Sequence, residues 1–180
     1  MGRFLGGLAL LAVLGLASSL LAGEPLQQLK VRKLPDAATS VAFSPQSDLV
    51  AVGSYETVEL WNIADKKKLG SLPVKSGFAR SLAFSPDGTH LAIGGYQKIH
   101  PYEVSTRQFV RDVKGHRGYV TSLLWPSADS LWSASEDKTV RSWVMPDGAE
   151  KSQINGLPAP ALGLAISPDR GTDRKSTRLN

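Results

Sequence analysis

The sequence predicts an all-β protein built from repeated four-stranded antiparallel sheets, and two observations carry this prediction. Apolar residues recur with a period of 41 positions over most of the chain. Within each period, short runs alternate between apolar and polar residues and are separated by turn residues, a pattern typical of strands rather than helices. Four short strands fit into each period, so we expect one antiparallel sheet per repeat and a stack of such sheets.

Four series of apolar residues share this phase. Members of each series lie 41 positions apart: Phe43, Phe84, Trp125 and Ile166; Trp61, Tyr102 and Trp143; Val50, Leu91 and Trp132; Val58, Ile99 and Val140. The units predicted from them cover about residues 37–74, 78–115 and 119–156, and a fourth unit begins over 160–169. One unit cannot bury its apolar face alone, so these positions are expected between neighbouring sheets.

Residues 1–23 predict an export signal. A basic start is followed by an uncharged run of apolar and small residues that ends before Glu24, which is the layout of a cleavable signal peptide. The run approaches the roughly 20 residues that span a bilayer, so an uncleaved N-terminal anchor is the alternative and the only expected membrane contact. We therefore expect an exported protein, periplasmic or extracellular, of the bacterial cell envelope. The chain has no cysteine, so the exported domain is expected to rely on packing rather than disulfides.

Residues 173–180, DRKSTRLN, break the repeat and resemble the translation of a sequencing-library adapter. A solvated basic tail is the alternative. We exclude this segment from the interpretation of the fold, and expect the natural protein to continue beyond residue 172.

Charge and motif content exclude several kinds of site. The net charge of +5 comes partly from Arg3 and the C-terminal segment, and the weak balance that remains does not indicate a nucleic-acid interface. No His, Cys or carboxylate cluster has metal-ligand spacing, and no glycine-rich phosphate-binding loop follows a strand. We therefore expect neither a metal nor another cofactor.

The third unit carries the motifs of a known family. Gly115-His116, a Ser/Thr-rich run from Ser133 that includes the turn residue Asp137, and Trp143 together resemble the WD-repeat β-propeller signature. The resemblance covers about residues 28–169. It implies four-stranded propeller blades and a buried, structural hydrogen-bonded tetrad of His116, Ser133, Asp137 and Trp143.

The other units depart from that signature. Tyr55 and Tyr96 stand where the turn aspartate belongs, and neither unit has a Gly-His pair, so we expect these blades to be held by packing alone. Residues 28–33 match the outer strand of a closing blade. Because propellers typically close with four to eight blades, three blades, part of a fourth and half of a clasp predict a fragment of a larger ring.

The same His, Ser and Asp could be mistaken for a catalytic triad. A nucleophilic serine needs an exposed position and an oxyanion hole, whereas Ser133 lies mid-strand in an alternating run. We therefore expect a structural role and no catalytic residues. His90 and His100 are isolated in the sequence and are interpreted as surface or edge residues.

The predicted function is a non-catalytic scaffold for a protein partner. Aromatic and arginine side chains, which most often anchor protein partners, are expected to meet at one rim: Tyr55, Phe78, Arg80, Tyr96, Arg117 and Tyr119. They could instead only pack between blades. Two other classes of protein remain open: an accessory propeller of a larger enzyme or electron-transfer protein, and a propeller enzyme using its channel, for which these units show no convergent acids or metal ligands.

Overall fold

A computed structural model of the protein describes residues 37–166, and within this range it assigns only strands. The strands are β1 (Ser40–Phe43), β2 (Leu49–Gly53), β3 (Tyr55–Asn62), β4 (Lys67–Phe78), β5 (Ser81–Phe84), β6 (His90–Gly94), β7 (Tyr96–Glu103), β8 (Val113–Ser127), β9 (Ser130–Ser135), β10 (Val140–Val144) and β11 (Ala149–Ile154). The predicted all-β class is confirmed. The predicted signal peptide, the half-clasp at 28–33 and the segment 173–180 lie outside the described residues.

The strands form three antiparallel blades. The first blade is the sheet β1-β2-β3-β4, and the other two are joined in the sheet β11-β10-β9-β8-β7-β6-β5. The long strand β8 pairs with β7 through Ile99↔Val113 and with β9 through Leu123↔Ser133. It therefore serves as the fourth strand of the second blade and the first strand of the third. The first strands of successive blades contact each other, so they define the inner edge of the stack.

The apolar core lies in two layers between the blades. The layer between the first and second blades contains Val58, Leu72, Leu91 and Tyr102, among others. The layer between the second and third blades contains Ile99, Val120, Leu131 and Trp143, among others. Alternate residues of β7 enter different layers because successive side chains of a strand point to opposite faces. Burial in both directions therefore explains why the strands of this blade are the most buried of the three blades.

Burial along the 41-residue series depends on whether another blade covers the face that the residue occupies. Phe84, in the middle blade, is 7% exposed, whereas Phe43 at the same repeat position in the first blade is 52% exposed. The outer face of the first blade has no neighbour among residues 37–166, which explains the difference. After β11, the segment 155–166 carries no assigned strand, but the Leu164 N–H donates to Ser122 Oγ at 3.1 Å. The first strand of a fourth blade stays a prediction.

Within the part of the chain that the structure describes, no helix is long and apolar enough to cross a membrane.

Candidate functional site

The structure brings the four residues of the expected tetrad together in the third blade. His116 Nε2 lies 2.7 Å from Ser133 Oγ, and its Nδ1 lies 2.9 Å from Asp137 Oδ2. The Trp143 indole N–H also donates to Ser133 Oγ at 2.8 Å. Since a carboxylate can only accept a hydrogen bond, the imidazole proton belongs on Nδ1. The unprotonated Nε2 then accepts a hydrogen bond from the Ser133 hydroxyl. Every polar atom of the tetrad is paired, and Ser133 is fully buried, so its hydroxyl is closed to a substrate.

Local sequence features position these side chains. His116 lies on β8, Ser133 on β9 and Trp143 on β10, while Asp137 occupies the turn between β9 and β10. A glycine is required at position 115 because a Cβ there would lie 2.9 Å from the Trp143 ring. The indole therefore packs directly against the backbone that presents His116.

The electrostatics of the tetrad favour a neutral imidazole beside a carboxylate. Burial lowers the pKa of His116 more than the neighbouring Asp137 raises it. Burial alone would raise the pKa of Asp137, but hydrogen bonds from the Thr139 hydroxyl, the Arg117 N–H and His116 outweigh it and lower the pKa to about 2. At neutral pH the aspartate is thus an ionised acceptor fixed by four donor groups, since the Thr139 N–H also donates to it, which suits a structural role.

A polar network centred on His100 of the second blade was not predicted from the sequence. The sequence predicts His100 at the surface or at an edge, but it is 5% exposed and lies on β7, between β6 and β8, so that prediction is wrong. Its Nε2 lies 2.9 Å from Ser76 Oγ and its Nδ1 lies 2.9 Å from Asp112 Oδ1. The Lys98 ammonium donates to the other Asp112 oxygen at 3.0 Å. The expectation that this blade is held by packing alone is therefore also wrong.

The two networks differ in access. The Ser76–His100–Asp112 network has the same order of groups as a nucleophilic triad, but catalysis would also require oxyanion donors. A Cβ at Gly95 would lie 1.8 Å from Ser76 Oγ. The Gly95 backbone therefore covers one side of the Ser76 hydroxyl. Unlike the tetrad, the network borders a cavity of about 440 Å³. Burial lowers the pKa of His100 against the opposing effect of Asp112, so the imidazole is neutral at pH 7.

A sequence signal for this network exists in the repeat phase. Glu59, His100 and Arg141 lie 41 positions apart, and all three are at least nine-tenths buried. Each forms an ion pair or a hydrogen-bonded pair within its own blade: Glu59 with Lys68, His100 with Asp112 and Arg141 with Glu150. A titratable residue at one buried repeat position, with a partner from the outer strand or the segment leading to it, is thus common to all three blades.

The rim residues form a continuous line of contacts across two blades. The Tyr55 and Phe78 rings meet edge to face with centroids 4.9 Å apart, and Tyr96 meets Tyr119 in the same way at 5.1 Å. The Arg80 guanidinium joins the two pairs, 5.7 Å from the centroid of Phe78 and 5.0 Å from that of Tyr119. Tyr55, Phe78 and Tyr96 are 38–47% exposed. These five residues are called the rim surface below.

Arg117, the sixth predicted rim residue, has a different contact. Its backbone N–H donates to Asp137 Oδ2 at 2.8 Å, and its carbonyl accepts from the Gln97 amide at 3.4 Å. The Arg117 side chain is exposed.

No group of His, Cys, Asp and Glu side chains suited to a metal ion occurs between residues 37 and 166. The candidate sites are the exposed rim surface and the cavity that borders the His100 network.

Comparison with known proteins agrees with this architecture. The family model described as "WD domain, G-beta repeat" matches residues 23–62, 66–99 and 107–143, together more than half of the chain. Two solved structures, of U3-55K and of the RRP9 WD40 repeats, each superpose with a TM-score of 0.69 and 21% identity. The match covers 73% of this chain but only 43% and 42% of those chains. Three blades, their repeat period and the family match together show that the chain belongs to the WD-repeat β-propeller family.

Proposed function

We propose that the protein is a non-catalytic scaffold that binds a protein partner through the rim surface. The observation that carries this proposal is the Tyr55–Phe78–Arg80–Tyr119–Tyr96 line of contacts, which leaves three aromatic rings substantially exposed. Rings held by neighbours lose little conformational entropy when a partner covers them, and arginine and tyrosine are frequent anchors of protein interfaces.

The repeat positions of Tyr55 and Tyr96 also support a role of the rim surface in partner binding. Tyr55 and Tyr96 occupy the repeat position that Asp137 occupies in the third blade, and they contact Phe78 and Tyr119, which also lie one repeat apart. Asp137 stabilises its blade through buried hydrogen bonds, whereas the tyrosines are exposed. At this repeat position the first two blades therefore expose an aromatic ring, whereas the third blade has an aspartate that forms hydrogen bonds within the blade.

Replacing Arg80 and Tyr119 with alanine in the intact protein should weaken retention of its partner at least about tenfold. Both residues lie at the rim, so the melting temperature should stay unchanged. Proteins retained by the tagged wild type and by the variant, both expressed in the native host, would be compared by quantitative mass spectrometry. Lys67→Ala is the matched control, because this exposed lysine lies at the opposite end of β4 from Phe78. Equal retention by the double variant, or a lowered melting temperature, would contradict the proposal.

We infer in addition that the protein acts outside the cytoplasm. The support is the pattern of residues 1–23, with a basic start, an uncharged apolar run and small residues before Glu24. Fractionation of the native host should recover the processed protein outside the cytosol, and mass spectrometry of its N-terminus should show that the first 20 or so residues are missing. Recovery from the cytosol with an intact N-terminus would sink this inference.

A further inference from the structure

The cavity beside His100 lies in the crevice between the first and second blades. Its lining comes from the end of β4, from β7 and from the segment that leads into β8, and it includes Lys75, Tyr96, Lys98, Tyr102, Phe109 and Asp112. At about 440 Å³, it falls in the range of small-molecule sites. Both blades that form it are present in the described residues, so its walls do not depend on any further blade. We call it the interblade cavity.

The interblade cavity carries one uncompensated positive charge. Asp112 is paired with Lys98 at 3.0 Å and with His100 at 2.9 Å, so both of its oxygens are occupied. Lys75 has no ion pair among residues 37–166. Because His100 is neutral at pH 7, the charges of Lys75, Lys98 and Asp112 give the interblade cavity a net charge of +1. A ligand with a single negative charge matches this balance, whereas a polyanion would be repelled by Asp112.

Aromatic rings form the other side of the cavity. Phe109 and Tyr96 are each 47% exposed, although Phe109 also contacts Tyr102 with ring centroids 5.6 Å apart. The Tyr102 hydroxyl donates to the Pro73 carbonyl at 2.6 Å, so this phenol is fixed and presents its ring rather than its polar end. Half-exposed rings beside a cavity gain most from covering by another flat ring, which adds ring contact to the burial of apolar area.

We propose that the interblade cavity binds a small aromatic carboxylate, with the carboxylate at Lys75 and the ring against Phe109 and Tyr96. The net charge of the cavity favours a ligand with one anionic group, and the exposed rings favour a ligand with a flat apolar ring. A neutral aromatic compound gains nothing from Lys75, and inorganic phosphate gains nothing from the rings. The site shares only Tyr96 with the rim surface, so Lys75 and Phe109 test it independently of partner binding.

The experiment is calorimetric titration of the intact protein with benzoate as the probe. Benzoate is small, so the expected Kd is on the order of 1 mM. Benzamide, its neutral counterpart, should bind about three- to fivefold more weakly because it lacks the ion pair with Lys75. Cyclohexanecarboxylate should bind about threefold more weakly because it lacks the flat ring. Inorganic phosphate should not displace benzoate.

Two variants assign the binding to this cavity. Lys75→Ala should weaken benzoate about three- to fivefold and abolish its advantage over benzamide, while Lys151→Ala, which removes an exposed lysine on β11, should change nothing. Phe109→Leu should reduce the preference for benzoate over cyclohexanecarboxylate, because only the Tyr96 ring remains. Melting temperatures check that each variant is folded. Undetectable benzoate binding, equal affinity for benzamide, displacement by phosphate or equal effects of Lys75→Ala and Lys151→Ala would each overturn the proposal.

Discussion

Trp143→Ala should lower the free energy of unfolding by about 3–5 kcal/mol, the usual cost of truncating a large buried aromatic side chain. Trp143 is 1% exposed and belongs to the apolar layer between the second and third blades. The substitution also removes the indole N–H that donates to Ser133 Oγ. Both effects act on the same layer, so the loss should fall near the upper end of the range.

Trp61→Ala is the matched control, because Trp61 occupies the same repeat position in the first blade but is only half-buried. Its loss should be about 1–2 kcal/mol. Trp143→Phe keeps one aromatic ring but removes the N–H and part of the buried ring volume, so an intermediate loss of about 2–3 kcal/mol is expected. Urea unfolding followed by far-ultraviolet circular dichroism measures all three. Equal losses for Trp61→Ala and Trp143→Ala would show that burial in the interblade layer does not control stability.

Asp137→Asn should lower stability at neutral pH and make it less sensitive to acid. Burial would raise the pKa of Asp137, but hydrogen bonds from Thr139, Arg117 and His116 lower it from 3.8 to about 2. A depressed folded-state pKa contributes stability above the unfolded-state value, and this stability is lost as the pH falls from about 4 towards 2. The contribution at pH 7 is about 2 kcal/mol, since the carboxylate is largely buried.

Asp87→Asn provides the comparison. Its pKa is also lowered to about 2, by hydrogen bonds from the Ser85 hydroxyl and from Thr89, but the residue is exposed in the turn between β5 and β6. Solvent screening should make its effect much smaller. Urea midpoints measured between pH 7 and pH 2 should therefore fall less steeply for Asp137→Asn than for the wild type or Asp87→Asn. The same slope in all three proteins would contradict the role assigned to Asp137.

The 41-residue period and the alternation within each run predicted those features of the fold that depend on periodicity. Strands, blades and the burial of Leu91, Ile99 and Tyr102 follow from alternation and from the 41-residue spacing, because both fix which face of a sheet a residue occupies. The contacts of Tyr55 with Phe78 and of Tyr96 with Tyr119 join equivalent positions and were expected at one rim. The side-chain direction of Arg117 is not fixed by spacing, and its contacts could not be predicted.

The network of the second blade was missed for a different reason. The family signature directs attention to the position of His116, which Lys75 occupies one repeat earlier, and no histidine stands there. Ser76 lies on β4, next to the repeat position of His116. His100 lies on β7, and Asp112 lies in the segment before β8. Only folding brings these three positions together, so no signature based on one repeat contains them. The phase of Glu59, His100 and Arg141 was the available clue.

The strand β8 has a consequence for cooperativity. Its first half, 113–119, pairs with β7 and its second half, 120–127, pairs with β9, so one uninterrupted strand belongs to two blades. No loop therefore separates the second blade from the third, and fraying of either blade reaches a strand that continues into the other. Loss of either blade removes backbone partners from the same strand, which ties the stability of the tetrad in one blade to the His100 network in the other.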